Sequence, residues 1–227
     1  MPANLEAYHA LMQEISDKVI LVAVSKTKPV EDINELYEAG HRDFGENYVQ
    51  ELVAKQPILS ADIRWHFIGH LQSNKVKYIA PFVHLIHGVD SLKLLQEINK
   101  QGVKNSRKIN VLLQLHVATE ETKLGFDETE LIAAMTQLKT QEEWDHVQVC
   151  GIMAMASFSS NADQVRAEFN HAYRVYQNLK QQFFSDDPAF DVLSMGMSGD
   201  YRVAITEGST MIRIGSMLFG ERNKVGA

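Results

Sequence analysis

Cysteine is almost missing from this chain. Cys150 is its only cysteine, so no intrachain disulfide can form, and a reducing compartment is the expectation. No apolar run reaches roughly 18 residues, which argues against a transmembrane helix. Residues 1–17 lack a basic segment followed by an apolar one, so no secretory leader is read there. These absences point to a cytoplasmic protein with no membrane partner. Positive charge is also in deficit: 22 Lys and Arg stand against 29 Asp and Glu, a net charge of -7. That argues against nonspecific nucleic-acid binding, which needs a basic footprint; a local basic patch stays open, but no nucleic-acid partner is expected. Neither the Walker phosphate loop nor the Rossmann Gly-x-Gly-x-x-Gly occurs.

What the chain does have is a run of strand-like segments, the first of them the most informative. Val19-Ile20-Leu21-Val22-Ala23-Val24 leads into Ser25-Lys26-Thr27-Lys28-Pro29. A short apolar run rich in Val and Ile reads as a strand covered on both faces, the parallel-sheet type. Period 2 puts Ile20, Val22, Val24 and Lys26 on one face and Leu21, Ala23 and Ser25 on the other. Lys26 therefore stands at the carboxyl end of a buried strand. Partial desolvation there should lower its pKa, and a neutral amine can attack an aldehyde to form a Schiff base. The competing reading is that Lys26 marks the wet end of the strand and snorkels to solvent.

Strand and helix then alternate. Helical spacing predicts a helix through Leu5, Tyr8, Leu11, Met12 and Ile15, placed as a plug at the bottom of a barrel. Further helices are read at 30–39, 48–55, 74–79, 91–98, 127–138, 162–184 and 200–206. Strands are read at 41–47, 64–70, 83–89, 109–117, 147–156, 191–197 and 211–219, with 104–108 a basic loop. Eight alternations without a linker imply parallel strands joined by crossover helices. The fold class expected is α/β, a single closed (β/α)8 barrel over residues 1–227, with a doubly wound open sheet as the runner-up.

In such a barrel the carboxyl ends of the strands carry the site. Lys26, Asn47, His70, Asp90, residues 194–198 and residues 213–216 all fall there. Ser194-Met195-Gly196-Met197-Ser198-Gly199-Asp200 passes from strand to helix, where small residues let backbone N–H groups approach an anion. Arg213-Ile214-Gly215-Ser216 ends the eighth strand. Loops after strands seven and eight are where barrels most often hold a phosphate. His66 and His70 lie on one strand, and His84 and His87 fall on opposite faces of another. No carboxylate cluster is seen to join either pair, so no metal ligands are assigned. Cys150 reads as core filler. A reactive lysine opposite a phosphate cradle suggests an aldehyde bearing a phosphate: pyridoxal 5'-phosphate (PLP), or a sugar phosphate in a Schiff-base aldolase.

The motifs Ala23-Val24-Ser25-Lys26-Thr27-Lys28, Phe44-Gly45-Glu46-Asn47-Tyr48, His66-Phe67-Ile68-Gly69-His70-Leu71-Gln72-Ser73-Asn74-Lys75, Ser194-Met195-Gly196-Met197-Ser198 and Arg213-Ile214-Gly215 resemble the pyridoxal phosphate homeostasis protein family. The resemblance spans residues 19–222. It implies a barrel like the N-terminal domain of alanine racemase, without that enzyme's C-terminal β domain. It also implies PLP held covalently on Lys26, Asn47 near the cofactor ring, and Ser194, Ser198, Gly215 and Ser216 on the phosphate. Arg213 would face the pyridine nitrogen. Arginine there disfavours ring protonation and leaves the ring a poor electron sink, so no catalytic residue is assigned. The function implied is buffering and delivery of PLP in vitamin B6 and amino-acid homeostasis, with apo forms of PLP-dependent enzymes as partners and a monomeric state. A racemase-like enzyme on small amino acids, or weak residual activity of that kind, is the alternative. Lys28, Lys75 and Lys123 are further lysines that could hold or relay the cofactor; surface solvation is the simpler reading.

Overall fold

Eight parallel strands close into a barrel in sequence order in a computed structural model, which describes residues 2–118, 124–140 and 144–220. They are β1 (Ile20–Val24), β2 (Asp43–Glu46), β3 (Arg64–Phe67), β4 (Leu85–Val89), β5 (Ile109–Leu115), β6 (Val147–Ala154), β7 (Val192–Ser194) and β8 (Met211–Ile214). Closure comes from β8 lying parallel to β1, with Val22 opposite Arg213 and Ala23 opposite Ile214. The helices are α1 (Leu5–Glu14), α2 (Val30–Glu38), α3 (Val49–Lys55), α4 (Val76–Ile79), α5 (Leu92–Lys104), α6 (Glu128–Thr140), α7 (Ala162–Phe183), α8 (Tyr201–Thr206) and α9 (Ser216–Phe219).

The alternation along each strand builds two cores. Leu21, Ala23, Phe44, Trp65, Phe67, Ile86 and Val111 point outward and pack under the helices in one continuous cluster. Val22, Leu85, Leu112, Cys150, Met153 and Met211 point inward and fill part of the barrel itself. Lys26 follows Val22 and Val24 on the inward face, so the phase read from the first strand is the phase the fold uses. Local signals set the helix starts. Ser91 Oγ accepts the Leu94 N–H at 3.3 Å. Asp127 and Glu130 cap each other reciprocally, at 2.8 and 3.0 Å, a capping box.

Several boundaries differ from expectation. Most strands are shorter, because pairing stops where the chain turns to form the upper rim; β3 ends at Phe67, before Ile68-Gly69-His70. The segment after Gly215 is not strand: Ser216–Phe219 is one turn of helix. Helix α5 runs past Ile98 to Lys104. Its Gly102 is a point of close packing rather than a stop, since a Cβ there would lie 2.7 Å from the His146 carbonyl oxygen. Helix α1 is not a plug beneath the barrel. It packs on the flank against α2 and α9, tied by Asn4 N–H to Leu218 O at 2.7 Å and by Arg202 and Tyr201 to Glu14. With α9 only one turn long, the seam between β8 and β1 needs this extra cover.

Candidate functional site

The turn that carries Lys26 is held under backbone strain. Lys28 N–H closes it onto Ser25 O at 3.1 Å, and Thr27, its third residue, has φ +63°. That region favours glycine and penalises a β-branched residue. Three groups fix the turn from below. Glu51 Oε1 accepts the Thr27 N–H at 2.5 Å. Lys55 Nζ donates to Ser25 O at 2.9 Å, to Glu46 Oε1 at 2.7 Å and to Glu51 Oε1 at 2.6 Å. Ser25 Oγ–H donates to Glu46 Oε1 at 2.8 Å. Burial pushes the Glu46 carboxyl up, and the Lys55 ammonium works against that shift.

Above this turn lies a cavity of about 360 Å³ lined by Lys26, Asn47, Ser198, Arg213, Gly215 and Ser216 among others. Its volume falls within the usual range for small-molecule sites. Apolar cover comes from Val24, Ile68 and Met155, and Phe158 stands fully exposed at the rim. The Asn47 Oδ1 atom is buried without a hydrogen-bond partner, an acceptor that a bound donor would satisfy. Two glycines shape the walls. A Cβ on Gly69 would sit 2.2 Å from Asn47 O, so only glycine lets the 68–70 loop lie against Asn47. Gly196, at φ +98°, lets the loop after β7 pass beneath α8, where a Cβ would meet Ala204 at 2.7 Å.

Arg213 enters this cavity from β8. Its side chain is buried, donating to Ser194 Oγ at 2.7 Å and to Ala154 O at 3.1 Å. Both acceptors are neutral, and burial lowers its pKa from the usual guanidinium value. Ser194 is not among the lining residues. It is buried next to Arg213, and its hydroxyl also meets His87 Nδ1 at 3.2 Å. Six of the seven predicted site residues therefore share the cavity, and the seventh braces one of them. Lys28 lines the cavity as well, but its ammonium is directed at the α9 terminus, donating to Phe219 O at 2.5 Å. Lys75 lies away from it, near the Tyr78 ring, and Lys123 is outside the described residues. His70 and Asp90 pair with each other at 3.0 Å beside a separate polar cavity.

Sequence reasoning missed a column of polar groups running down the barrel. His87 Nε2 meets His66 Nδ1 at 2.9 Å, and His66 Nε2 meets Asp43 Oδ1 at 3.0 Å. Asp43 in turn takes both arms of Arg64. Burial opposes ionisation of Asp43, yet the bonds from Arg64 and His66 hold its carboxyl well below the usual range. Burial also pushes His87 well below the usual imidazole value and His84 down to about 4. The expectation that no carboxylate joins these histidines is corrected: Asp43 joins His66 and His84. Local spacing could not show this, because register brings the groups together, with Asp43 opposite Arg64 and His66 opposite Leu85. Cys150 is buried in the barrel interior, and burial raises its thiol pKa to about 11.

Comparison with known proteins gives one consistent set. The family model for the alanine racemase N-terminal domain matches residues 2–223. A pyridoxal phosphate homeostasis protein of Aquifex aeolicus is 41% identical over 203 residues, covering 89% of this chain and 86% of its own. The structure of PipY from Synechococcus elongatus without PLP superposes with a TM-score of 0.87 at 37% identity, over 95% of this chain and 99% of that one. PipY with PLP bound gives 0.84 at 36% identity, with the same coverage.

Proposed function

The chain belongs to the alanine racemase N-terminal domain family, among the pyridoxal phosphate homeostasis proteins, and from that premise we propose that it is a single-domain PLP holder. Lys26 would hold the cofactor covalently through its side-chain amine, a group that condenses with an aldehyde to a Schiff base and water. Ser198, Gly199, Gly215 and Ser216 receive the phosphate on small residues and hydroxyls. Asn47 offers its unpartnered Oδ1 beside the ring, and Arg213 faces the ring nitrogen. Ser194 acts only indirectly, by fixing the guanidinium of Arg213 that faces the ring nitrogen.

The observation that carries this reading is the convergence, in one cavity, of Lys26, the orphaned Asn47 acceptor and a buried guanidinium whose bonds among the described residues go to neutral oxygens. Relatives named for PLP homeostasis and a neighbour with PLP bound support it. When bound, the cofactor supplies an electrophilic aldehyde and an electron-accepting ring. The residues around it favour retention over turnover. Arg213 is already protonated and gives the ring nitrogen no proton. Among the described lining residues there is no carboxylate, histidine or tyrosine to act as a second base. The recipient is an apo form of a PLP-dependent enzyme, and the holder works as a cytoplasmic monomer. Among the described residues, no helix is long and apolar enough to cross a membrane.

Absorbance of the purified protein with PLP tests this. The wild type should show the visible band of a lysine Schiff base, and Lys26→Ala should lose it. An amino-acid panel should give turnover well below 1 s⁻¹, under the ordinary enzymatic range. Racemisation or decarboxylation at ordinary rates would instead make it an enzyme, and borohydride trapping of a sugar phosphate in place of PLP would make it an aldolase.

A further inference from the structure

At the amino-terminal mouth of the barrel, opposite the Lys26 cavity, Asp43, His66 and His84 each offer a ligand atom, all within 4.8 Å of one another. We propose that Asp43 Oδ1, His66 Nε2 and an imidazole nitrogen of His84 form a binding site for a zinc-class divalent transition-metal ion. This inference does not depend on the PLP reading.

The donor set is that of a borderline metal: two imidazoles and one carboxylate, a set that leaves the fourth position of a tetrahedral ion to water. In a tetrahedral site with bonds of about 2.0 Å, ligand atoms lie roughly 3.3 Å apart. His66 Nε2 and Asp43 Oδ1 are already at 3.0 Å, so His84 supplies most of the closing movement. His84 is placed for this, since it precedes β4 on the bottom rim rather than lying inside the barrel. Asp43 stays oriented by Arg64, whose NH2 group bonds Oδ2 while Oδ1 turns to the ion. Arg64 gives up only its Nε bond to Oδ1, and its side chain, 48% exposed, regains water there.

The second nitrogen of the central ligand is already engaged. A metal-bound imidazole ordinarily donates its other N–H to a fixed partner, which sets the ring's orientation. His66 Nδ1 faces His87 Nε2 at 2.9 Å, and His87 Nδ1 faces Ser194 Oγ at 3.2 Å. With no ion, Asp43 is the acceptor at the bottom, so every proton in the column points downward: Ser194 to His87, His87 to His66, His66 to Asp43. An ion on His66 Nε2 takes the place of that last proton. Each imidazole then carries its one proton on Nδ1, the column points upward, and Ser194 accepts from both His87 and Arg213. No proton is gained or lost by the two rings. The ion thereby reaches the residue that braces Arg213 without any movement of the backbone.

The test uses the full chain, stripped of metal and of any affinity tag, titrated separately with Co²⁺ and with Zn²⁺. The expected results are a saturable one-to-one complex, the intense visible absorption of four-coordinate Co²⁺, and affinity at least tenfold weaker in His84→Ala. His84→Gln provides a second variant, and matching thermal unfolding of metal-free variants and wild type shows that folding is intact. On Zn²⁺ binding, ¹⁵N spectra should place the His87 ring proton on Nδ1. Absence of a one-to-one complex in the wild type, or equal affinity in the His84 variants, would overturn the site. A zinc complex that leaves the His87 proton on Nε2 would overturn the reversal of the column.

Discussion

Lys55 and Arg213 are both buried cations close to the Lys26 cavity, at 6% and 5% exposure, yet their surroundings have little in common. Behind β1 and β2, Lys55 meets two carboxylates and a carbonyl. Between β7 and β8, Arg213 meets a serine hydroxyl and a carbonyl, and among the described residues it bonds no carboxylate. A buried charge is stable when opposite charge and hydrogen bonds offset its lost hydration. Lys55 has both inside the fold and acts as a fastener for the strained Ser25–Lys28 turn. Arg213 has only part of that compensation, and the rest is available from an electron-rich ligand. The difference separates the side of the cavity that carries the Lys26 turn from the side whose buried cation is only partly compensated.

Breaking the compensated side should have the largest effect. Lys55→Ala leaves the buried Glu46 beside the half-buried Glu51 with no cation between them, and should cost on the order of 3–5 kcal/mol in unfolding by denaturant. The uncompensated side should respond in the opposite sense. Arg213→Leu removes a buried cation that, among the described residues, bonds no carboxylate, so stability should stay within about 1 kcal/mol of wild type or rise. PLP affinity of this variant should fall about tenfold or more, equal to roughly 1.4 kcal/mol, by spectroscopic titration. A destabilised Arg213→Leu with unchanged affinity would erase the contrast.

How far this contrast could be read in the sequence differs between its halves. Lys26, Asn47, Ser198, Arg213, Gly215 and Ser216 stand at strand ends, where alternation and punctuation by Gly and Ser are local signals, and they do share the cavity. The barrel was legible for the same reason: each strand announces itself over a few residues. Glu46, Glu51 and Lys55 were passed over. The only local cue was Glu51 four residues before Lys55, a spacing that usually marks an exposed helix pair. Here Lys55 has 8% side-chain exposure, because Glu46 draws it inward from the next element. The column from Asp43 to Ser194 was out of reach, since its contacts span 21 to 107 residues and depend on register around a closed sheet. Ser194 reads as a phosphate ligand because it opens a run of Ser and Gly at a strand end; its own side chain points inward, to His87 and Arg213.

Smaller perturbations sharpen the picture. Thr27→Gly relieves a positive φ at the turn and should stabilise the fold by about 0.5–1 kcal/mol, the relief of strain being partly offset by the freedom of glycine in the unfolded chain. The cofactor band should persist. Cys150, within the interior floor and bonded to neither cation, is the control. With its thiol near 11, only about one in a thousand is thiolate at pH 8. Alkylation there should be slow, and should rise about tenfold per unit between pH 8 and 10 as the thiolate fraction grows. Cys150→Ala should leave PLP binding unchanged.

The most direct measurement is borohydride reduction of the PLP-loaded protein followed by peptide mapping. The account predicts that the reduced adduct lies on Lys26 alone, and that Arg213→Leu lowers its yield without moving it. An adduct on Lys28 or Lys75 in the wild type, or no fixed adduct at saturating PLP, would contradict the assignment of Lys26 as the residue around which this cavity is built.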